Sequence, residues 1–122
     1  MLDALLSRLA PKGRKTHDLE ADLYGADRNG PRAEVEFEGW ASGQYRLEIE
    51  VKDRDGHLAG YPQLDVAVGD IMLGSIPVNP AGRTYFSRTH EDGPLGFEPA
   101  VGQIVMLGSG GVAFLSGQFQ RD

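Results

Sequence analysis

Apolar and polar residues alternate along three segments in the first half of the chain. The apolar positions are Leu19, Ala21 and Leu23 in LEADLYG, Ala33, Val35 and Phe37 in RAEVEFEG, and Tyr45, Leu47, Ile49 and Val51 in QYRLEIEV. A period of two residues predicts β-strands with one buried face. The intervening ADRNGP and GWASG hold the residue types that tight turns require, so the three strands are predicted to form a meander.

The second half continues with shorter apolar segments. QLDVAVG and DIMLGSIPVN precede the turn NPAG, where Pro80 sets φ and Gly82 takes the left-handed position, so a hairpin to RTYFS is predicted. QIVMLG and VAFLSGQF flank a further turn at SGG. About eight short strands separated by such turns are typical of an antiparallel sandwich or barrel. We predict an all-β antiparallel β-sandwich, Greek-key or immunoglobulin-like, with a short N-terminal helix.

The helical period of 3.6 residues occurs only at the N terminus. One stripe of an amphipathic helix would carry Leu2, Leu5, Leu6 and Leu9. Pro11 and Gly13 then end the pattern. A helix of about ten residues is marginal alone in water, so it is expected to dock on its own domain, a second copy or another protein. The chain divides into this helix with a basic connector, residues 1–15, and a β domain, residues 16–122.

Composition removes several classes of function. The chain of 122 residues has no cysteine, which excludes disulfides, thiol catalysis and zinc–thiolate sites. No apolar run approaches the ~18 residues that a membrane-spanning helix needs. The first nine residues lack the basic and continuous apolar regions of a secretory leader, so a cytoplasmic location is expected.

Charge divides at the same boundary as the predicted elements. Residues 1–15 have a net charge of +3 and residues 16–122 a net charge of −9. An acidic body without a basic stripe argues against nucleic-acid binding. The apolar face of the helix is short and has no aromatic residue, which argues against membrane anchoring. The predicted partner is therefore a protein or a second copy, contacted through the leucine stripe.

The segment Asp53-Arg54-Asp55-Gly56-His57 is the first candidate for chemistry. Two carboxylates two residues apart, followed by glycine, match the start of a calcium loop. The third oxygen ligand and the closing glutamate are missing. Asp-Gly after an alternating strand also predicts a hairpin turn, which is the interpretation we adopt. Asp53, Asp55, His57 and His90 remain metal candidates, with no metal or cofactor assigned.

Three function hypotheses follow. The first is a non-enzymatic interaction module that docks or self-associates through the leucine helix. The second is a small metal- or carboxylate-dependent hydrolase that uses His57 and His90, which requires the fold to bring histidines together. The third is a carbohydrate or peptide binder that uses Trp40 and the sheet face bearing alternating glutamates. No catalytic residue is assigned, because no nucleophile motif is present.

The strand sequences carry a family resemblance. LEADLYG, AEVEFEG and VGDIMLGSIPVNPAGRTYFS, closing with GGVAFLSGQF, resemble the bacterial β-sandwich modules related to the chordin-type CHRD domain. There, an opening strand ends in Leu-x-Gly, a Gly-x-Ile-x-Val-x-x-x-Gly hairpin follows, and the last strand ends in Gly-x-Phe. The chain lacks that family's His-rich HIH segment. The resemblance spans residues 19–119 and implies a non-catalytic module.

Overall fold

A computed structural model of the chain describes residues 13–27, 29–79 and 81–122. The predicted helix, with Leu2, Leu5, Leu6 and Leu9, and the turn residue Pro80 lie outside the described residues. The described part is all-β apart from a 3-10 turn at His90–Asp92. Its strands are β1 (Lys15–Tyr24), β2 (Arg32–Trp40), β3 (Tyr45–Lys52), β4 (Gln63–Val68), β5 (Ile71–Pro77), β6 (Arg83–Thr89), β7 (Ile104–Ser109), β8 (Val112–Gln118) and β9 (Gln120–Arg121).

The strands form one curled sheet, so the β-sandwich prediction is wrong. Their order is β5-β4-β7-β8-β1-β2-β3-β6, with the short β9 paired to β1, and every pairing is antiparallel. The sheet is a nearly closed barrel, with its gap between the edges of β5 and β6. Alternation buries one face of each strand equally well in one closed sheet or two stacked sheets. The sequence pattern therefore predicted the strands correctly but not their assembly.

The barrel interior is the hydrophobic core, as the alternation predicted. All ten apolar positions of the first three segments are buried, and β4, β5, β7 and β8 contribute Leu64, Val66, Val68, Ile76, Val105, Leu107 and Leu115. The meander is also confirmed, because β1 pairs with β2 and β2 with β3 along their full lengths. Side chains fill a barrel of about eight strands without leaving a channel.

The two turns predicted for the second half have different outcomes. Ser109 pairs with Val112, so Gly110 and Gly111 form a two-residue turn, and their φ values of 59° and 81° require glycine. The hairpin predicted around NPAG is wrong. The chain does turn there, with the Gly82 amide donating to the Asn79 carbonyl at 3.2 Å, but β5 pairs with β4 and β6 pairs with β3. The turn joins the two open edges of the barrel.

The two halves of the barrel meet where β8 lies beside β1. In the described residues this contact has one β1–β8 pair, Tyr24 with Ser116, before the chain bends and β9 pairs with β1. A Cβ on Gly117 would lie 2.2 Å from the Asp22 carbonyl oxygen. Only a residue without a side chain permits this close approach of the two strands.

Candidate functional site

Asp53 has a structural role in the turn where the sequence suggested a metal site. Its carboxylate accepts hydrogen bonds from the backbone amides of His57 at 2.9 Å and Leu58 at 2.7 Å, and the side chain is buried. Gly56 has φ of 70° and donates to the Asp53 carbonyl at 3.1 Å. Asp53 therefore stabilises a turn. The turn is not a hairpin, because the chain passes from β3 to β4, which are not neighbours.

The structure separates the two histidines of the hydrolase hypothesis. His57 lies beyond the end of β3, next to Gly30 in the turn between β1 and β2. His90 follows β6 at the opposite end of the sheet, because Arg46 pairs with Thr89 while Lys52 pairs with Arg83. These two pairs are six residues apart along β3, which is roughly 20 Å. Among the described residues, no group of three or more His, Asp or Glu side chains is placed to hold a metal ion.

Trp40 and His90 instead line a cleft at one end of the barrel. This barrel-end cleft has a volume of about 490 Å³ and is lined mainly by apolar groups. Its floor consists of Phe37 on β2 and Tyr45 on β3, whose rings stack at 6.0 Å between centroids. Trp40 and Gln44, at the β2–β3 turn, form one rim, and Leu95 and Phe97 line the cleft from the loop after β6.

The loop that follows β6 and carries Leu95 and Phe97 is held in place by hydrogen bonds. The Tyr45 hydroxyl donates to the Gly93 carbonyl at 2.7 Å, and Arg88 donates to the Tyr45 hydroxyl at 3.1 Å and to the Pro94 carbonyl at 3.0 Å. Thr89 caps the 3-10 turn that begins the loop. Because Tyr45 and Arg88 are strand residues, these bonds tie the loop to the barrel and give the cleft a preformed shape.

A second depression of about 410 Å³ adjoins the cleft and shares Thr16, His17 and Glu98 with it. The His17 ring lies edge-on to Phe37, with Nε2 3.0 Å from Glu98 Oε1 and Nδ1 2.8 Å from the Thr16 hydroxyl. A β-bulge between Lys15 and His17 places the neighbouring Thr16 and His17 side chains together. These groups add a polar edge to an otherwise apolar cleft.

The polar edge has a defined hydrogen-bonding sense. An ionised Glu98 can only accept, so His17 donates to it from Nε2. In the neutral imidazole, Nδ1 then accepts the Thr16 hydroxyl proton. A hydroxyl, an imidazole and a carboxylate in line also occur in enzymes that activate a hydroxyl nucleophile. Here the Glu98 side chain is 79% exposed, so water competes for the carboxylate that would orient the imidazole. The arrangement suits recognition of a polar group on a ligand.

Charged side chains form ion pairs next to Trp40 at the rim of the cleft. Lys15 Nζ lies 5.8 Å from the centre of the Trp40 ring and 2.8 Å from Glu38 Oε2. Arg46 also pairs with Glu38. The hydrogen bond from Lys15, with a further one from Arg46, lowers the pKa of Glu38 below its usual value. Glu38 therefore stays ionised and holds both cations at the rim.

The face of alternating glutamates forms carboxylate rows across the outside of the barrel. Glu20 on β1 lies opposite Glu36 on β2, which lies opposite Glu48 on β3. Asp122, followed by burial and by Asp22 and Glu36, raises the pKa of Glu20. In contrast, Asp65 is the only charged residue within β4, β5, β7 and β8. The rows lie on the barrel wall, apart from the cleft that contains Trp40.

Sequence reasoning identified Trp40 as a ligand platform but missed most of the cleft. Phe37 and Tyr45 were predicted only as core residues, and Leu95, Phe97 and Glu98 fall in a segment without periodicity. The one available signal was the apolar content of GPLGFEP within a long loop. Long loops that contain several large apolar residues need a surface to cover, and this loop covers the barrel end.

Comparison with known proteins finds no matching family model, curated protein or solved structure. The resemblance to CHRD-type modules therefore stays a prediction. No helix in the described ranges is long and apolar enough to cross a membrane.

Proposed function

We propose that the protein is a non-enzymatic interaction module whose barrel-end cleft binds apolar side chains of a short peptide segment. The observation that supports this most directly is the set of four aromatic side chains that line the cleft: the stacked and nearly buried Phe37 and Tyr45, with Trp40 and Phe97. Aromatic side chains provide large contact areas at low entropic cost and dominate the energetics of peptide and protein interfaces.

The polar groups of the cleft suit a peptide ligand. His17 and Glu98 lie along one edge and Gln44 on the rim, so a bound backbone finds both donors and acceptors beside the apolar floor. A few placed polar groups around an apolar surface are typical of sites that fix the orientation of a ligand. The hydrolase hypothesis finds less support, because His57 and His90 lie at opposite ends of the sheet.

Peptide display tests the proposal. A library of random 12-residue peptides is selected on the full chain, and the affinity of selected peptides is measured by calorimetry. We expect enrichment of leucine and aromatic residues. Trp40→Ala should weaken binding about 30-fold, since truncating a tryptophan that is a binding hot spot typically costs about 2 kcal/mol or more.

Tyr85→Ala is the matched control, because Tyr85 is 60% exposed on the barrel wall, away from the cleft. It should leave the affinity unchanged. Circular dichroism of Trp40→Ala checks that the barrel remains folded. Peptides that bind the wild type and Trp40→Ala equally would contradict the proposal. Binding on a glycan array that requires Trp40, without peptide binding, would replace the peptide by a carbohydrate.

A further inference from the structure

We propose that the chain's own N-terminal segment, residues 1–12, occupies the barrel-end cleft and competes with other peptides for it. The contact would be made by Leu2, Leu5, Leu6 and Leu9. This inference rests on the proposed function of the cleft, and it names a resident occupant for that site. The protein would then regulate its own binding surface.

The position where the described chain begins supports this assignment. The Ala41 amide donates to the Arg14 carbonyl at 2.8 Å, and a Cβ on Gly13 would lie 3.3 Å from the Ala41 Cβ. Ala41 directly follows Trp40 in the turn whose Trp40, Gly43 and Gln44 line the cleft. β1 runs from there toward the other end of the barrel. Residues 1–12 therefore join the barrel at the rim of the cleft.

The length of the segment matches the distance it has to cover. Leu9 is four residues before Gly13, so the connection between them spans at most ~14 Å. A helical stripe from Leu2 to Leu9 is roughly 10 Å long. Such a stripe is amphipathic and too short to be stable without a surface to pack on. The cleft lies close to the segment's point of attachment, because Thr16 of β1 and Trp40 both line the cleft.

The charges around the cleft complement those of the segment. The adjoining depression is lined by three acidic and two basic side chains, an excess of one acidic side chain: Asp18, Glu98 and Asp122 against Lys15 and Arg121. The Glu98 side chain is 79% exposed. The segment carries Arg8 and Lys12 next to its leucine stripe. Opposite charges across the mouth would orient the segment and favour its return after it is displaced. Because the segment is attached to the barrel, its effective concentration at the cleft exceeds that of a free peptide at ordinary concentrations.

The test uses the full chain with two charge-matched double variants. Leu5→Asp with Leu6→Asp breaks the leucine stripe. Ala4→Asp with Ser7→Asp adds the same charge to the opposite face of the predicted helix. The probe is a synthetic peptide with the sequence of residues 1–12, MLDALLSRLAPK. It contains no tryptophan, so fluorescence reports only on Trp40, the single tryptophan of the chain.

We expect the peptide to bind the stripe variant about tenfold more tightly than it binds the wild type or the control, because the resident segment lowers the open fraction of the cleft. Acrylamide should also quench Trp40 more strongly in the stripe variant. Equal peptide affinities for all three proteins would overturn the inference. So would a wild-type dimer that the stripe substitutions convert to monomer, since the segment would then occupy the cleft of a second copy.

The failures of this inference and of the proposed function are distinguishable. One outcome is that display-selected peptides bind the wild type and the stripe variant equally, with binding to each protein lost on Trp40→Ala. In that case the cleft binds peptides but the segment does not occupy it. If no apolar peptide binds either protein, the proposed function fails and the inference fails with it. The stripe variant should unfold more easily than the control variant by about 1.4 kcal/mol, because a tenfold occupancy of the cleft by the segment stabilises the folded state by that amount.

Discussion

At the scale of single residues, the structure assigns the aspartates of DRDG different roles. Asp53 is buried and accepts two backbone hydrogen bonds, whereas Asp55 is exposed. A buried carboxylate with two amide donors is a structural element, because those amides would otherwise lose their partners on folding. The resemblance to a calcium loop therefore reflects the requirements of a turn.

Replacing Asp53 by alanine should lower the free energy of unfolding by about 2–4 kcal/mol, since it leaves two amides without acceptors in a buried site. Asp53→Asn keeps one acceptor oxygen and should have an intermediate effect. Urea denaturation with an unchanged m value gives the comparison. Asp55→Ala is the control and should change stability by less than ~0.5 kcal/mol. Equal effects at Asp53 and Asp55 would contradict the assigned role.

At the scale of elements, the contact between β1 and β8 determines how the barrel closes. Gly117 lies where the backbone of β8 crosses close to Asp22. The two halves of the sheet are each paired extensively within themselves, and this short contact connects them. A side chain at this point would force the halves apart.

Gly117→Ala should destabilise the protein by about 3 kcal/mol, because the added methyl group meets a backbone carbonyl that cannot move independently. Gly60→Ala is the control: a Cβ there has no neighbour within 4 Å. That substitution should leave stability unchanged or raise it by up to ~1 kcal/mol through the unfolded state. Thermal unfolding of the two variants checks the prediction, and equal melting temperatures would refute it.

The elements also show how far the sequence could predict this structure. Alternation located Leu19 to Val51 on one buried face because period and burial are local properties. It could not tell a sandwich from a barrel, because both bury the same face. The chain turns at NPAG as expected, but the strands on either side of the turn do not pair with each other. β5 pairs with β4 and β6 pairs with β3, which the local sequence does not determine. The cleft was not predicted because Leu95 and Phe97 line a site only when their loop packs near Phe37 and Tyr45, which are distant in sequence.

At the scale of the whole molecule, most of the charged strand residues lie on one half of the barrel, in β1, β2, β3 and β6. Rows of carboxylates cross β1, β2 and β3, with basic residues such as Arg46 and Lys52 placed among them. Directly opposed like charges oppose folding, whereas paired ones support it. The free energy of unfolding therefore depends on pH in two opposing ways, one set by carboxylates that face each other and the other by carboxylates that pair with basic residues.

Glu20→Gln should raise the free energy of unfolding at pH 7. The pKa of Glu20 is raised by Asp122, burial, Asp22 and Glu36, so the folded state binds this proton more tightly than the unfolded state. Ionisation of Glu20 lowers the free energy of unfolding as the pH rises through that raised pKa. The stabilisation by glutamine should therefore disappear below pH 4.5, the pKa in the unfolded state, where glutamate is protonated in both states. Denaturation at several pH values measures this difference.

Glu38→Gln should have the opposite sign. Lys15 and Arg46 lower the pKa of Glu38, so its contribution to stability is present above pH 4.5 and is lost as the pH falls through the lowered pKa. We expect a loss at pH 7 that fades in acid. Because Glu20 is exposed and Glu38 is half-buried, salt should reduce both effects, and that of Glu20 more strongly. Matching pH profiles for the two variants would contradict the assignment of opposite causes.

The gap between β5 and β6 has a consequence for how the molecule opens. β2 and β7 have paired neighbours on both sides, whereas β5 and β6 each have one. Amide hydrogen exchange proceeds through local openings, which are easiest where a strand can leave the sheet without breaking a second ladder. Deuterium should therefore enter the barrel first at β5 and β6, and later in strands that are paired on both sides, such as β2 and β7.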